Sequence, residues 1–167
     1  MTIRPFLPYS DRRLHIPAQP VDTVTEAIQM IWDDMIDTMD AMPGVGLAAS
    51  QIGIMLRLAV VDASDKRGQA IRMANPEILH ASVQLRDYEE ASPNLPGVSA
   101  RINRPRAVTV RFLNDQANVE DRDFVGLWAT SVQHQIDHLN GKLYIDHLSA
   151  LKRKMLITKS AKLTRRR

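Results

Sequence analysis

The chain has 167 residues, 44% of them hydrophobic and 25% charged, with a formal net charge of +3. That length fits one domain able to bury about 70% of its unfolded surface. No apolar run approaches the roughly 20 residues of a membrane helix, and the opening MTIRPFLPYS has no continuous apolar stretch of the secretory kind, so a cytoplasmic location without membrane partners is expected. Cysteine is absent, which excludes disulfides and any thiolate chemistry.

In chain order, the proline-punctuated segment up to Pro20 reads as extended chain over the surface. A helix follows, capped by Asp22 or Thr23 with Glu26 at capping-box spacing from Thr23, and ended by Pro43-Gly44. Its apolar stripe is Val24, Ile28, Ile31, Met35 and Met39, widened by Ala27, Trp32 and Ile36. GVGLAASQIG, residues 44–53, reads as a glycine-bearing loop of small side chains. Strands are expected over 58–62, 71–74, 78–88 and 107–112, and an ordered loop over 91–105, where three prolines and a glycine fall. A second long helix is expected from about 124 to 140, stopped by Gly141, and a third over 149–163. Helix, several strands, then helices argue an α+β fold.

Charge is uneven along the chain. Residues 151–167 hold eight Lys or Arg (Lys152, Arg153, Lys154, Lys159, Lys162, Arg165, Arg166, Arg167) and no acid, which leaves −5 for the remainder. Such a tail suits a phosphate-rich surface such as ribosomal RNA, and equally a solvated helix end that keeps the chain soluble. Nothing points to DNA.

The chemistry concentrates in Gln133-His134-Gln135-Ile136-Asp137-His138. Residues four apart share one helix face, so both imidazoles can reach one ion. A metal hydrolase with this layout carries glutamate after the first histidine, to take a proton from metal-bound water. Here the residue is Gln135, whose amide has the same shape but cannot accept and return a proton at neutral pH. By itself an HxxxH pair is more often structural than metal-ligating.

Three segments, GVGLAASQ (44–51), EASPNLPG (90–97) and QHQIDHLNG (133–141), occur in the order and spacing of the three motifs of peptide deformylases. The chain resembles that family over nearly its whole length, through DRRL near the start, LAVVD, NPEI, the Arg104-Pro105 pair and YIDHLSALKRKM near the end. The resemblance implies mixed or antiparallel strands around a central HxxxH-bearing helix, with a long N-terminal and a C-terminal helix. It further implies a pocket lined by Gly44, Gly46 and Leu47, with Gln51 donating to the substrate's formyl oxygen, and two metal-ligating histidines, His134 and His138. The family's catalytic glutamate is replaced by Gln135. Its second motif reads E-G-C-L-S, which places Ser92 at the cysteine that is the third ligand to ferrous iron or zinc, and Pro93 at the leucine whose backbone N–H serves the oxyanion. Proline has no N–H to offer. Ala91 and Asn94 also depart from the pattern, and Glu90 matches a position that supports the site from behind.

The reading that follows is a deformylase-like protein with deformylation absent or vestigial, with no metal or a weakly held one. It would hold nascent-peptide N-termini or dock on ribosomes through its C-terminal region. The alternative is an active metal-dependent hydrolase of N-formylmethionyl peptides with an altered metal site, Glu89 or Glu90 completing a two-histidine-one-carboxylate set. A third reading keeps a metal at the histidines only as a staple of the fold. Gln135 itself is either natural divergence or an introduced substitution, and His15, His80 and His147 are expected to be surface or packing residues.

Overall fold

The computed structural model describes residues 2–166. Its helices are α1 (Glu26–Ala41), α2 (Gly126–Leu139) and α3 (Ala150–Arg165). Its strands are β1 (Gly46–Ala48), β2 (Leu58–Val61), β3 (Ile71–Ala81), β4 (Leu85–Glu90), β5 (Ala100–Pro105), β6 (Ala107–Leu113) and β7 (Val119–Val125). Five strands form one antiparallel sheet in the order β1-β2-β3-β6-β7, and β4 pairs antiparallel with β5 in a separate ribbon. No described helix is long and apolar enough to cross a membrane.

The sheet lies between two helices. Ile28, Trp32, Met35 and Met39 of α1 meet Leu47, Leu58, Val60 and Ala74 on one side. Ala129, Val132 and Ile136 of α2 meet Val61, Met73, Val108, Val110 and Phe112 on the other. Alternation along β2 produces this split, since successive side chains point to opposite faces. A third cluster of Leu14, Leu95, Val98, Ile102, Leu143, Tyr144 and Ile145, with Leu156 and Ile157 of α3 against it, closes the end that carries the β4-β5 ribbon.

Several elements differ from the expectation. Thr25, not Asp22 or Thr23, caps α1, its side chain accepting from the Ile28 N–H at 3.3 Å. The 44–53 segment is not plain loop: β1 pairs with β2, and residues 49–52 make a 3₁₀ turn. The expected break after Ala74 is a bulge inside one long strand, with Asn75 at φ 52° and a register shift against β6 between Ala74 and Glu77. The actual break follows Ala81, where no glycine or proline marks it and the Ser82 side chain donates to the Gln84 carbonyl at 2.8 Å.

The 91–105 segment ends in β5, hidden by its prolines although Ile102 and Arg104 alternate inward. β7 was not expected either. Its acidic sequence becomes a strand because the register with β6 sets Asp121 opposite Arg111 and Asp123 opposite Thr109, giving an ion pair at 2.8 Å and a hydrogen bond at 2.6 Å. At the other end of α2, Gly141 takes φ 79°, and a Cβ there would fall 2.8 Å from the backbone of His15 and Ile16. Glycine therefore both ends the helix and lets the N-terminal segment cross it.

Candidate functional site

α2 is buried nearly all round, and its polar residues set the site. A helix with this surrounding finds partners for most of its buried polar groups, the exceptions being Gln135 Oε1 and His138 Nδ1. Ser131 donates to the Val45 carbonyl at 2.9 Å, and Gln133 to the Pro105 and Ala129 carbonyls at 2.9 and 3.0 Å. His134 and His138 lie one turn apart with their Nε2 atoms 3.1 Å from each other.

Behind the histidines runs a chain of charged groups. His134 Nδ1 donates to the Glu90 carboxylate at 2.7 Å. Arg104 grips the same carboxylate through two bonds of 2.7 and 2.9 Å and reaches Asp137 at 2.8 Å. Asp137 in turn meets His147 Nε2 at 2.7 Å. Burial pushes the Glu90 carboxyl up, but the hydrogen bonds from His134 and Arg104, with their charges, outweigh it and hold it below the ordinary range. Burial likewise opposes ionisation of Asp137, and His147 and Arg104 reverse the balance. Complete burial, then the neighbouring His134, drive His138 well below an ordinary histidine. Tyr144 stacks on His134 with ring centroids 6.0 Å apart, and burial with the nearby Glu90 and Glu89 charges pushes its hydroxyl up to about 12.

In front of the histidines the 91–97 segment turns sharply. The Leu95 N–H donates to the Ser92 carbonyl at 3.0 Å, which puts Pro93 at the second position of a β-turn, where its fixed φ suits it. Asn94 then points inward, 1% exposed. Its Oδ1 accepts from Gln51 Nε2 at 2.9 Å and from Ser92 Oγ at 3.1 Å. Its Nδ2 donates to the carbonyls of Leu7 at 2.8 Å and Gln51 at 3.0 Å. Gln51 is held equally fully: its Oε1 accepts from the Ala48 N–H at 2.9 Å, and its second amide proton faces Ser92 Oγ at 3.3 Å.

A cavity of about 460 Å³ opens between these two faces, lined among others by Gly44, Gly46, Gln51, Ser92, Pro93 and His134. Gln135 also lines it, and the Gln135 Oε1 atom is buried without a hydrogen-bond partner. A Cβ on Gly46 would collide with Ser131 Oγ and Gln135 Nε2, so glycine is what allows β1 to approach α2 here. Leu47 corrects the expectation. It is fully buried in the core beside α1, because alternation along β1 turns its side chain away from the cavity.

The family model described as polypeptide deformylase matches residues 3–154. The chain belongs to this family. It is 41% identical to a peptide deformylase of Afipia carboxidovorans over 98% of each chain, and 38% identical to one of Rhodopseudomonas palustris strain BisB18 over 99% of this chain and 97% of that one. Among solved structures, a peptide deformylase from Ehrlichia chaffeensis superposes with a TM-score of 0.93 at 30% identity, covering 98% of each chain. One from Legionella pneumophila superposes with a TM-score of 0.91 at 41% identity, covering 98% of this chain and 96% of that one. The α+β deformylase fold expected from the three motifs is the fold of this chain.

Deformylases depend on a ferrous or zinc ion, and the donor set of this member can be compared with that need. Bonds of 2.0–2.1 Å to a tetrahedral ion set two imidazole nitrogens about 3.3 Å apart, close to the separation of the His134 and His138 Nε2 atoms. The third donor is where the fit fails. Ser92 Oγ is a neutral hydroxyl already bonded to Gln51 and Asn94, a far weaker ligand than a thiolate. Glu90 does not replace it, since both its oxygens are taken by Arg104 and His134 Nδ1. Glu89 is exposed and accepts from Ser99 Oγ at 3.0 Å. Among the described residues no group of three His, Asp or Glu is placed to hold an ion. A tightly held three-ligand centre does not fit these residues.

Sequence reasoning missed the parts of Asn94, Asp137 and His147. His147 is half-exposed yet ends the charged chain, so it is more than a surface residue. The Arg104-Pro105 pair was the available signal for that chain, because a buried arginine requires buried carboxylates. Asn94 was visible only as a departure from the second motif.

Proposed function

We propose that this deformylase-family chain receives peptide N-termini in the cavity between β1, α2 and the 91–97 turn, and that its hydrolysis of the formamide bond is vestigial. One observation carries the reading: the side chain at the proton-acceptor position is the Gln135 amide, buried and with its Oε1 unpartnered. An amide orients water but does not remove its proton. Losing a general base costs roughly 10²–10⁴ in rate, and losing an oxyanion donor, as at Pro93, about 10²–10³. The two losses are not additive, and Ser92 weakens the hold on the ion besides.

The second reading is a working deformylase with an altered metal site. It is supported by relatives near 40% identity over almost the full length that bear the name peptide deformylase, and by the convergence of His134 and His138. Metal content after purification without chelator, together with formate release from a formyl-Met peptide, separates the two. The first reading expects substoichiometric metal and turnover about 10⁴-fold or more below an active relative. Stoichiometric metal with brisk formate release overturns it.

Docking on ribosomes is part of the same proposal. α3 exposes Lys152, Lys154, Lys159, Lys162 and Arg165, with Arg166 beside them; Arg167 lies outside the described residues. Pelleting with ribosomes is expected to weaken with salt and to be lost on reversing the charges of Lys152, Lys159 and Lys162. Unchanged pelleting by that variant counts against it.

A further inference from the structure

The carboxamide of Asn94 is the side-chain group nearest in chemistry to a formamide. It sits on Gln51, the amide to which the resemblance to deformylases assigns the formyl oxygen. The Gln51 amide nitrogen is engaged inside the protein, donating to Asn94 Oδ1 at 2.9 Å with Ser92 Oγ also in reach at 3.3 Å. The Ser92 hydroxyl is itself turned to Asn94 Oδ1 at 3.1 Å. Pro93 has no N–H, and among the described residues no lysine or arginine lines the cavity. The side-chain donors of Gln51 and Ser92 on the 91–97 side are thus turned toward Asn94 rather than into the cavity. Asn94 is anchored as well as engaged, because its own amide protons hold the Leu7 and Gln51 carbonyls at 2.8 and 3.0 Å. All four of its hydrogen-bonding capacities are used, which makes release of this buried side chain costly.

We propose that Asn94 is a specificity-determining residue: an internal stand-in for the formyl group that competes with it for Gln51 and so weakens the cavity's preference for a formylated peptide N-terminus over a free one. The proposal rests on the assignment of this cavity to peptide N-termini. It adds that the formyl group gains little affinity through Gln51 in this chain, whatever the rest of the peptide contributes.

The test is calorimetric binding of a formyl-Met tripeptide and the same tripeptide with a free amine, on the full chain. The wild type is expected to bind both within about threefold of each other. Asn94→Ser, the residue of the family's motif, removes the carboxamide and frees Gln51. It is expected to shift the ratio toward the formylated peptide by about tenfold, the worth of one regained hydrogen bond. A purely structural role for Asn94 would weaken both peptides equally and leave the ratio alone. A tenfold formyl preference in the wild type overturns the proposal without needing any variant to fold. So does a folded Asn94→Ser protein whose ratio is unchanged, and so does a wild type that binds neither peptide at millimolar concentration. Formate and metal measured on the same preparation keep the outcomes apart: turnover defeats the vestigial reading, whereas formyl preference without turnover defeats only the role given to Asn94.

Discussion

The two walls that flank His134 and His138 are built from the same materials and have kept different things. On the rear wall Glu90, Arg104, Asp137 and His147 form a run of charge-assisted bonds between 2.7 and 2.9 Å, each buried charge matched. On the front wall, where a substrate would lie, the resemblance sets Ser92 at the family's cysteine and Gln135 at its glutamate, with Pro93 and Asn94 departing from the motif beside them. The rear wall is still needed because α2 would otherwise bury uncompensated charge, a cost that does not depend on whether any reaction occurs. On the front wall Ser92 and Asn94 bond to each other and to Gln51, while Gln135 Oε1 is left without a partner.

That contrast can be broken or sharpened in order of effect. Restoring the front wall with Ser92→Cys, Pro93→Leu, Asn94→Ser and Gln135→Glu together is expected to raise formate release by about 10³-fold or more, returning both a base and a donor. A metal-loaded quadruple variant that stays inert would mean that the loss extends beyond these four positions. Removing the keystone of the rear wall, Arg104→Met, strands Glu90 and Asp137 and is expected to destabilise the fold by about 3–5 kcal/mol in urea unfolding. A loss under about 1 kcal/mol would show the two walls to be equally dispensable.

Asn94→Ser is expected to cost less, about 1–3 kcal/mol, because it leaves the buried Leu7 and Gln51 carbonyls short of a donor. At the half-exposed end of the rear wall, His147→Ala is expected to cost under about 1 kcal/mol, since solvent screens that contact and Arg104 still holds Asp137. Asp62, in the turn after β2, supplies a control outside both walls. Burial raises its carboxyl, but the hydrogen bonds from Ser64 and the Gln69 N–H hold it below the ordinary aspartate range. A depressed folded value means stability fully present above the ordinary aspartate range and lost as pH falls through the lower folded value. Asp62→Asn is therefore expected to flatten the acid limb of the stability profile while leaving peptide binding unchanged.

The amphipathic stripe of α1, the buried run of β2 and the two-histidine face of α2 were legible in the sequence because each follows a local period. What was not legible depends on pairing. β7 is too acidic to read as a strand until β6 supplies Arg111 and Thr109 opposite it, and β5 lies behind prolines. In the site, the losses at Ser92, Pro93 and Gln135 could be read from residue type alone. The engagement of Gln51 by Asn94 could not, since it joins residues 43 positions apart through side-chain atoms. Leu47 shows the converse, a motif residue whose orientation was settled by a strand too short to recognise.

The sharing of bonds among Gln51, Ser92 and Asn94 also bears on how substitutions combine. A single change at Ser92 would deprive Gln51 and Asn94 of a partner, and one at Asn94 would orphan two backbone carbonyls. The three side chains therefore form one unit, in which a substitution at one position is felt at the other two and their effects are not expected to add.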